Sequence, residues 1–384
     1  MNEISKTPVS DFDAAVRLLS GGTNVAIYND IGLPSIYVRR DKGLISDVIE
    51  GGSDKTHYAF KVNGAEIPAF YMGKYLATVY KGRALSLPLQ DPSANKISAD
   101  NIGNAKSADV NFDNAIEWCR SNGQGFHLST IAEYAWVSLL SRKNGTMPRG
   151  NSNFGADYNA SYESGIPALY DSDGKINRTL TGSGPATWND NWKPDGICDL
   201  NGNVYEWQGG YRTVDGELQI FPDNDAAMNW YSQANNAGFW NAMILNSTLD
   251  AKLVKPGTEN SLKWDYVDGT PADGEGSYSF RLNTKIENAV NNQTARGAIN
   301  FDNLTMAPGL ATPELLKALA LMPDGNGSYG NSMVYMKNIG ECLVYRGGGW
   351  YSNKNSGVFS ANGETKRANI YTIIGFRPSF IPGI

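Results

Sequence analysis

Short, separate hydrophobic patterns at the start of the chain predict one helix followed by a hairpin. Ser10 precedes a short amphipathic segment that ends at Gly21, which is the pattern of a capped helix. The β-branched and aromatic runs NVAIY (24–28) and SIYVRR (35–40) flank a Gly-Leu-Pro turn, as the strands of a hairpin do. We therefore expect residues 1–60 to form a small α+β module.

Beyond this module, one strand-like pattern is followed by two helical patterns. FYMGKYLATVY (70–80) alternates as a strand does, and residues 111–120 place their apolar side chains on one helical side. The clearest helix is predicted over residues 129–145, where Thr130 and Glu133 have the spacing of a capping box.

The rest of the chain combines irregular segments with a few short elements. Residues 146–210 are rich in Gly, Asn, Asp and Trp and show little periodicity, which is typical of loops held by side-chain anchors. TPE (312–314) opens a predicted helix over 315–322, and strand-like runs cover 332–346 and 374–380. Together these patterns predict a loop-rich α+β fold.

The composition excludes several kinds of metal and redox site. The chain has 384 residues but only two His, His57 and His127, which is too few for a multi-histidine metal centre. Its three cysteines, Cys119, Cys198 and Cys342, are odd in number and widely spaced, so neither a disulfide framework nor a zinc ribbon is expected. We interpret His127 as a packing residue at a helix entry and His57 as a surface residue.

Charge and hydropathy argue against a nucleic-acid partner and against a membrane span. The net charge of -6 provides no basic surface for a nucleic-acid backbone, so no nucleic-acid partner is expected. No apolar run approaches the roughly 18 residues of a membrane span, and the first residues lack the pattern of a secretory signal peptide. We expect neither a membrane span nor a signal peptide.

DLNGNVYEW (199–207) is the most specific motif, and two interpretations of it stay open. Asn-Gly favours a tight turn, with Val204 and Trp207 buried beside it, which would make the motif a structural anchor. Alternatively, the oxygens of Asn201, Asn203 and Glu206 could hold a hard cation such as Ca²⁺. On the first interpretation the protein needs no cofactor.

A second motif, RGGGWYSNKNSGVFSANGETKRANIYTIIGFRP (346–378), follows neither helix nor strand periodicity. A glycine-rich hairpin with exposed loops would account for it. Its small, polar and aromatic positions also include Tyr, Ser, Gly and Asn, the mixture found in adaptable binding surfaces, where Tyr supplies contact area at low entropic cost.

These motifs resemble a known family when taken in their order along the chain. FYMGKYLATVY, HLSTIAEYAW, DLNGNVYEW and the closing RGGGW…GFR are similar to the formylglycine-generating-enzyme (sulfatase-modifying factor) type of C-type lectin fold. The resemblance covers about residues 60–210 and 330–384. It implies a C-type lectin-like domain over 61–384 with an insertion at about 211–332.

A narrower resemblance concerns function. MPRGNSNFG, TGSGPATW, DLNGNVYEWQGG and VDGELQIFPDNDAA resemble the variable proteins of diversity-generating retroelements in gut bacteria and their phages. In that family the segment corresponding to 346–378 is rewritten by adenine-directed mutagenesis and binds the ligand. The resemblance implies a cell-surface protein or glycan as ligand and a virion (phage tail tip) or bacterial surface as location. Phage relatives imply a homo-oligomer, a trimer.

The resemblance also divides the segment into exchanged and fixed positions. Mutating the adenines of an Asn codon that ends in a pyrimidine cannot produce Lys or Glu, so Lys354, Glu364 and Lys366 are left out. The positions expected to vary and to contact ligand are Gly349, Tyr351, Ser352, Asn355, Asn362, Thr365, Asn369, Tyr371, Thr372 and Ile373. The positions expected to hold the backbone are Arg346, Trp350, Phe359, Arg367, Phe376 and Arg377.

Two alternatives belong to other functional classes. An oxidoreductase like the formylglycine-generating enzymes would need a cysteine pair after the RGG-W element, whereas the last cysteine, Cys342, precedes Arg346. We therefore expect no enzymatic activity. A virion component without variable positions would keep residues 349–373 identical across a clonal population.

Overall fold

The structure, a computed structural model, describes residues 10–102, 107–246, 250–267, 277–288 and 296–384. Within these ranges the chain is mixed α+β, rich in strands and with few helices. The helices are α1 (Asp11–Leu19), α2 (Ile45–Val48), α3 (Ala99–Ile102), α4 (Phe112–Arg120), α5 (Ile131–Lys143) and α6 (Glu314–Ala318). The strands are β1 (Asn24–Tyr28), β2 (Pro34–Asp41), β3 (Lys61–Val62), β4 (Ala65–Glu66), β5 (Ala69–Gly73), β6 (Ala77–Tyr80), β7 (Arg83–Ser86), β8 (Phe126–Leu128), β9 (Tyr205–Val214), β10 (Glu217–Ile220), β11 (Asn241–Leu245), β12 (Ala251–Val254), β13 (Lys263–Tyr266), β14 (Ser277–Tyr278), β15 (Phe280–Asn283), β16 (Arg296–Asn300), β17 (Met333–Met336), β18 (Glu341–Gly347), β19 (Gly357–Thr365), β20 (Ile374–Gly375) and β21 (Pro378–Phe380).

A five-stranded antiparallel sheet joins the two ends of the described chain. Its strand order is β1-β2-β5-β21-β8, so the late strand β21 lies between β5 and β8. The hairpin β1–β2 predicted at 24–40 is present, and β2 continues the sheet by pairing with β5. The boundary expected at residue 60 therefore does not coincide with an edge of this sheet.

A second, larger sheet carries the two motifs. Its central strands are β9, which begins within DLNGNVYEW, then β18 and β19 from the C-terminal motif. On one side β10, β11 and β12 continue it, and on the other β17, β16 and β14 do so. The residues expected to be an insertion, 211–332, thus supply strands on both sides of this centre.

Three of the predicted helices are confirmed, and each begins at a side-chain cap. In α1 the Ser10 hydroxyl accepts a hydrogen bond from the Asp13 N–H at 3.1 Å, and α4 begins after Asn111 in the same manner. In α5 the predicted capping box is complete, because Thr130 accepts from the Glu133 N–H and the Glu133 carboxylate accepts from the Thr130 N–H. Each cap satisfies N–H groups that the first helical turn leaves without partners.

Two predicted strands are each divided between different sheets. Residues 70–80 form the end of β5 and then β6, because the Lys74 N–H donates to Ile36 and the Tyr75 N–H to the Ser86 hydroxyl. Residues 374–380 form β20, which pairs in parallel with β9, and β21, which pairs with β5 and β8. The alternating pattern identified extended backbone, but it did not show that each run pairs with strands of two different sheets.

The predicted helix over 315–322 is shorter than expected. α6 ends at Ala318, and Ala320 adopts a left-handed φ of 49° that no helix continues through. The Leu321 N–H then donates back to the Leu316 carbonyl at 2.9 Å and closes the turn. The apolar residues after Ala318 stay buried in the core, so their hydrophobic pattern reflects burial rather than helix.

Helix α5 lies at the centre of the main hydrophobic core. Every residue from Ile131 to Leu139 is buried, and its apolar side chains pack with those of β5, β9, α6 and β19. A helix that is buried on all sides, including the polar Glu133 and Ser138, is an element enclosed by the fold. None of the helices in the described ranges combines the length and the apolar character needed to cross a membrane.

His57 is fully buried, which corrects its assignment to the surface. Its Nδ1 accepts from the Ala59 N–H at 3.2 Å, its Nε2 donates to the Ala318 carbonyl at 2.8 Å, and its ring lies 5.1 Å from that of Trp136. These contacts fix the neutral imidazole between the turn before β3 and helix α6. Burial lowers the pKa of His57 to about 4.

The pKa of His57 predicts a stability change in acid. In the unfolded chain His57 becomes protonated near pH 6.5, whereas in the folded chain it becomes protonated only near pH 4. As the pH falls through that interval, His57 therefore lowers the free energy of unfolding by up to about 3 kcal/mol. His57→Gln retains a donor for Ala318 and cannot be protonated. We expect urea unfolding at pH 7 and pH 4.5 to show a smaller loss of stability in the variant than in the wild type.

The variant must be compared with the wild type because protonation of Asp199 changes the free energy of unfolding in the opposite direction. Burial raises the pKa of the Asp199 carboxyl to about 6, so this group stabilises the fold as the pH falls through 6. The Asp199 contribution is common to both proteins and cancels in the difference. If wild type and His57→Gln lost the same stability between pH 7 and pH 4.5, the lowered pKa of His57 would be contradicted.

Candidate functional site

An open cleft of about 1000 Å³ lies over the strands β17, β18 and β19 and the loops that follow them. Its walls are formed by tyrosines together with amide, hydroxyl and charged side chains. The lining residues are Tyr158, Tyr205, Arg296, Tyr335, Lys337, Tyr345, Tyr351, Ser352, Asn353, Lys354, Asn355, Asn362, Glu364, Thr365, Tyr371 and Ile373.

Seven of the ten positions expected to vary line this one cleft. They are Tyr351, Ser352, Asn355, Asn362, Thr365, Tyr371 and Ile373. Of the other three, Gly349 is buried beneath Ile373, whereas Asn369 and Thr372 lie nearby in sequence without lining the cleft. Side chains that are spread over 23 residues of sequence thus share one concave surface.

Main-chain hydrogen bonds hold the segment that carries these positions. The Gly202 N–H donates to the Gly347 carbonyl at 2.9 Å and the Trp350 N–H to the Asn203 carbonyl at 3.1 Å. Further along, the Tyr205 N–H donates to the Ile373 carbonyl at 2.8 Å. Because these bonds use backbone atoms alone, they do not directly involve the side chains at the positions expected to vary.

Two of the glycines in RGGGW are required by the backbone and by close packing. Gly347 and Gly348 have φ values of 99° and 85°, a region that side-chain-bearing residues rarely adopt. A Cβ on Gly348 would lie 2.1 Å from the Ser356 hydroxyl, and one on Gly347 would lie 2.8 Å from the Leu200 carbonyl oxygen. These glycines set the sharp turn that carries the chain from β18 into the cleft wall.

Tyrosine rings form the floor of the cleft. The ring of Tyr345 contacts that of Tyr205 edge-on at 4.9 Å and that of Trp207 at 5.2 Å. Its hydroxyl is 3.0 Å from the Thr365 hydroxyl. Burial raises the pKa of Tyr345 well above its ordinary value and that of Tyr205 to about 12. Both phenols therefore stay neutral and able to donate hydrogen bonds near pH 7.

The rim of the cleft is more exposed than its floor. Tyr351 and Tyr371 are 52% and 45% exposed, and the Asn369 side chain donates to the Tyr371 hydroxyl at 2.7 Å. Asn362, on the wall, is buried and donates to a Glu364 oxygen at 3.0 Å. A ligand would therefore meet two exposed rings first and a hydrogen-bonded wall behind them.

The residues expected to hold the backbone are buried, with one exception. Arg377 donates to both oxygens of Glu206 at 2.8 Å and also to the carbonyls of Gly73 and Cys198. Phe376 and Phe359 are completely buried and Trp350 nearly so. The fold therefore fixes this part of the framework from both sheets.

The other two arginines of the framework have different surroundings. Arg346 is fully buried, donates to the Ala320 carbonyl at 3.1 Å and lies over the ring of Tyr134. Burial lowers the pKa of Arg346 to about 10. Arg367 is the exception to full burial and bridges Glu341 and Asp113, which ties β18 to α4.

The side chains of DLNGNVYEW make internal contacts that do not fit a cation site. Glu206 is engaged by Arg377, and Asn203 pairs with the backbone N–H and carbonyl of Thr179 at 2.9 and 3.0 Å. The Asn201 oxygen accepts from the Ser356 hydroxyl at 2.7 Å. In the described part of the chain, no group of three or more His, Cys, Asp or Glu is arranged to hold a metal ion.

The cysteines and His127 take part in packing. All three thiols are buried, and burial raises the pKa of Cys198 to about 12 and of Cys342 to about 11. Thiols of this kind stay protonated and are poor nucleophiles or metal ligands near pH 7. His127 lies fully buried between the Gly125 carbonyl and the Glu133 carboxylate, each at 2.9 Å.

Several cleft residues were not identified from the sequence. Lys354 and Glu364 were left out by the codon argument, and Tyr158, Arg296, Tyr335 and Lys337 lie outside the motif. Alternation offered a signal for two of them, because residues 334 and 336 are buried whereas Tyr335 and Lys337 face the cleft. No comparable pattern marks Tyr158 or Arg296.

Comparisons with known proteins give weak similarities. No protein-family model matches the sequence, and no curated protein matches it. One similar solved structure is the Major Tropism Determinant U1 variant, with 13% sequence identity and a TM-score of 0.32; the match covers 90% of this chain and 62% of that one. The M1 variant of the same protein has 13% identity and a TM-score of 0.35, and the match covers 93% of this chain and 71% of that one. Another is Treponema denticola variable protein 1, with 12% identity and a TM-score of 0.33; the match covers 94% of this chain and 99% of that one. The chain spans less than two thirds of the U1 variant, and TM-scores of this size do not establish a shared fold.

The buried pair of Arg377 and Glu206 is expected to be important for stability. Arg377→Met leaves the carboxylate of Glu206 buried without its partner, which costs about 3–5 kcal/mol in the free energy of unfolding measured with urea. Arg39→Met, which removes an arginine paired with Asp41 at the exposed surface, is the control and costs less than about 1 kcal/mol. Equal losses in the two variants would contradict this role.

Two of the positions expected to vary are coupled by contact. A Cβ on Gly349 would lie 2.2 and 2.3 Å from the outer atoms of Ile373, so Gly349→Ser should cost about 1–3 kcal/mol by overpacking. Ile373→Ala removes those atoms. In a double-mutant cycle, the double variant should therefore be at least about 0.5 kcal/mol more stable than the sum of the two single effects predicts. Thr372→Ala is the matched control and should add independently to Gly349→Ser. Additive effects at 349 and 373 would disprove the coupling.

Proposed function

We propose that this protein is a non-catalytic ligand-binding protein whose exchangeable side chains, within residues 349–373, form one wall of a recognition cleft on a C-type lectin-like scaffold. The segment is proposed to be diversified by a retroelement. The observation that carries the proposal is that seven of the ten positions expected to vary line a single cleft of about 1000 Å³.

The way the segment is held supports this division between scaffold and surface. Its framework side chains are mostly buried, and its turns are joined to the DLNGNVYEW motif by main-chain hydrogen bonds. A surface of this construction tolerates exchange of side chains without a change of backbone. Tolerance of this kind is what a protein needs when its specificity is altered by mutation.

The composition of the cleft also supports recognition. Six tyrosines line it, together with Ser, Thr and Asn side chains. Tyrosine provides a large contact area at a small entropic cost, and hydroxyl and amide groups adapt their hydrogen bonds to different ligands. The proposed ligand is a cell-surface protein or glycan, and the proposed location is a virion or a bacterial surface.

We further propose that the protein acts as a homo-oligomer, a trimer. Linked copies raise the apparent affinity of a weak site by about 10²–10⁴ when their sites can bind together. Light scattering coupled to size-exclusion chromatography measures the mass in solution. A mass equal to one chain of 41.7 kDa would remove this part of the proposal and leave the binding role untouched.

Deep sequencing of the 3′ end of the gene in a growing culture tests the diversification. We expect substitutions to concentrate at the ten positions between 349 and 373, and to avoid Gly347, Gly348, Trp350 and Arg377. A uniform distribution of substitutions, or an identical segment throughout the population, would show that the segment is not diversified.

Binding to cells tests the role of the cleft. Fluorescent protein is applied to a panel of intact bacterial strains, and labelling is measured by flow cytometry. Tyr351→Ala with Tyr371→Ala should reduce labelling at least tenfold, because both rings are exposed at the rim. The matched control is Tyr162→Ala with Tyr170→Ala, which removes two exposed tyrosines that do not line the cleft. Equal effects of the two pairs would contradict the cleft as the binding surface.

A further inference from the structure

Asn353 combines a place in the cleft with an unusual backbone conformation. It lines the cleft between Ser352 and Asn355, but it belongs neither to the positions expected to vary nor to those expected to hold the backbone. Its φ is 51°, and within residues 346–378 it is the one residue other than glycine with a positive φ. Glycine adopts this left-handed conformation readily, and Asn and Asp adopt it more often than other residues do. The chain therefore turns here in a conformation that few side chains tolerate.

Two overlapping turns depend on this conformation. They lie within residues 349–356, which we call the rim loop. The Asn355 N–H donates to the Ser352 carbonyl at 3.0 Å. The Ser356 N–H then donates to the Asn353 carbonyl at 3.2 Å. Because Asn353 lies within both turns, a residue that cannot adopt its φ would open both.

The main chain of Asn353 is also bound from outside the segment 346–378. Its N–H donates to the Ser152 carbonyl at 2.8 Å. The loop that contains Ser152 is itself joined to the DLNGNVYEW motif, because the Asn203 N–H donates to the Asn151 carbonyl at 2.7 Å. Asn353 is thus a point at which the scaffold holds the rim loop.

The Asn353 side chain fixes the backbone beside an exposed ring. Its Nδ2 donates to the Tyr351 carbonyl at 3.0 Å, and Tyr351 is 52% exposed at the rim of the cleft. Short polar side chains that bind the nearby backbone in this way are the ones that enter the left-handed region. One residue therefore fixes both the turn and the backbone that carries Tyr351.

We propose that Asn353 is a positioning residue of the cleft, a fixed point inside the exchangeable loops that sets where Tyr351 meets a ligand. Copies of the protein with an ordered rim then carry Asn, Gly or Asp at this position. A β-branched residue here releases the rim loop from Ser152 and leaves the rest of the fold in place. This inference rests on the proposed binding function and adds to it a limit on which versions of the segment can present a defined surface.

Hydrogen exchange of the full chain tests the position of the rim loop without a ligand. Amide exchange is followed by mass spectrometry in peptides that cover residues 349–356. Asn353→Gly retains access to the left-handed φ and should keep the exchange rate within roughly threefold of the wild type. Asn353→Val disfavours that φ and should raise the rate roughly tenfold or more.

Asn355→Val is the matched control for exchange. Asn355 is the same residue type, lines the same cleft and has no positive φ, so this variant should change the rate less than roughly threefold. Thermal unfolding checks that each variant is folded. If Asn353→Val is not folded, Asn353→Ala replaces it, because alanine also disfavours the left-handed region.

Labelling of intact bacterial strains by fluorescent protein tests the consequence for binding. On a strain whose labelling depends on Tyr351 and Tyr371, Asn353→Gly should label roughly tenfold more strongly than Asn353→Val. The physical reason is that an ordered rim presents the Tyr351 ring without a further cost of ordering on binding.

Several results would overturn the role of Asn353. They are equal exchange rates in Asn353→Gly and Asn353→Val, equal effects of Asn353→Val and Asn355→Val, and a wild-type rim loop that exchanges as fast as an unstructured peptide. Equal labelling by Asn353→Gly and Asn353→Val, on a strain that requires Tyr351 and Tyr371, would also overturn it and leave the proposed function standing. If no strain shows that requirement, the proposed function fails, and the binding role of Asn353 fails with it.

Discussion

A buried ion pair between Arg377 and Glu206 is the constraint on which the rest of the structure depends. Arg377 stands where the chain passes from β20 in the large sheet to β21 in the small one, and its guanidinium also binds the carbonyls of Gly73 and Cys198. Charges removed from water require complete pairing. Satisfying this one side chain therefore requires both sheets and the DLNGNVYEW turn to be correctly placed at the same time.

The same arrangement separates the parts of the molecule that must not change from those that can. Buried side chains and main-chain hydrogen bonds determine the path of the backbone, whereas the cleft is lined by side chains that project from it. At exposed positions such as Tyr351 and Tyr371, a substitution is then expected to change what the surface contacts without moving its backbone. This separation is incomplete within the set of positions expected to vary, because Gly349 contacts Ile373 and the Ser352 hydroxyl accepts a hydrogen bond from the Gly349 N–H.

Sequence patterns predicted the local elements well and their partners poorly. The caps at Ser10 and Thr130 are visible in the sequence because a cap is formed by residues a few positions apart. The runs 70–80 and 374–380 read as single strands, yet each is divided, because the choice of sheet is made by distant hydrogen bonds. His57 lacked any local signal of burial, since the carbonyl that binds it comes from Ala318, 261 residues away.

The candidate site shows the same limit. The family resemblance supplied the positions expected to vary, seven of which line the cleft, because it concerns one contiguous motif. Tyr158, Arg296 and Lys337 reach the cleft from separate parts of the fold, and no pattern within one sequence links positions so far apart. Lys337 is placed by the parallel pairing of β17 with β19 and Arg296 by the pairing of β16 with β17, which are properties of the folded chain.

The position of β21 has a consequence for how variants of the segment would be filtered. This strand lies between β5 and β8 and is synthesised directly after the exchangeable positions. A frameshift or premature stop within those positions removes β21 and Arg377 together, leaving the small sheet split and Glu206 buried without a counter-charge. We expect chains with such errors to be strongly destabilised, because these contacts are lost together. If the segment is diversified as proposed, the requirement for β21 would restrict folding to those copies whose reading frame has survived.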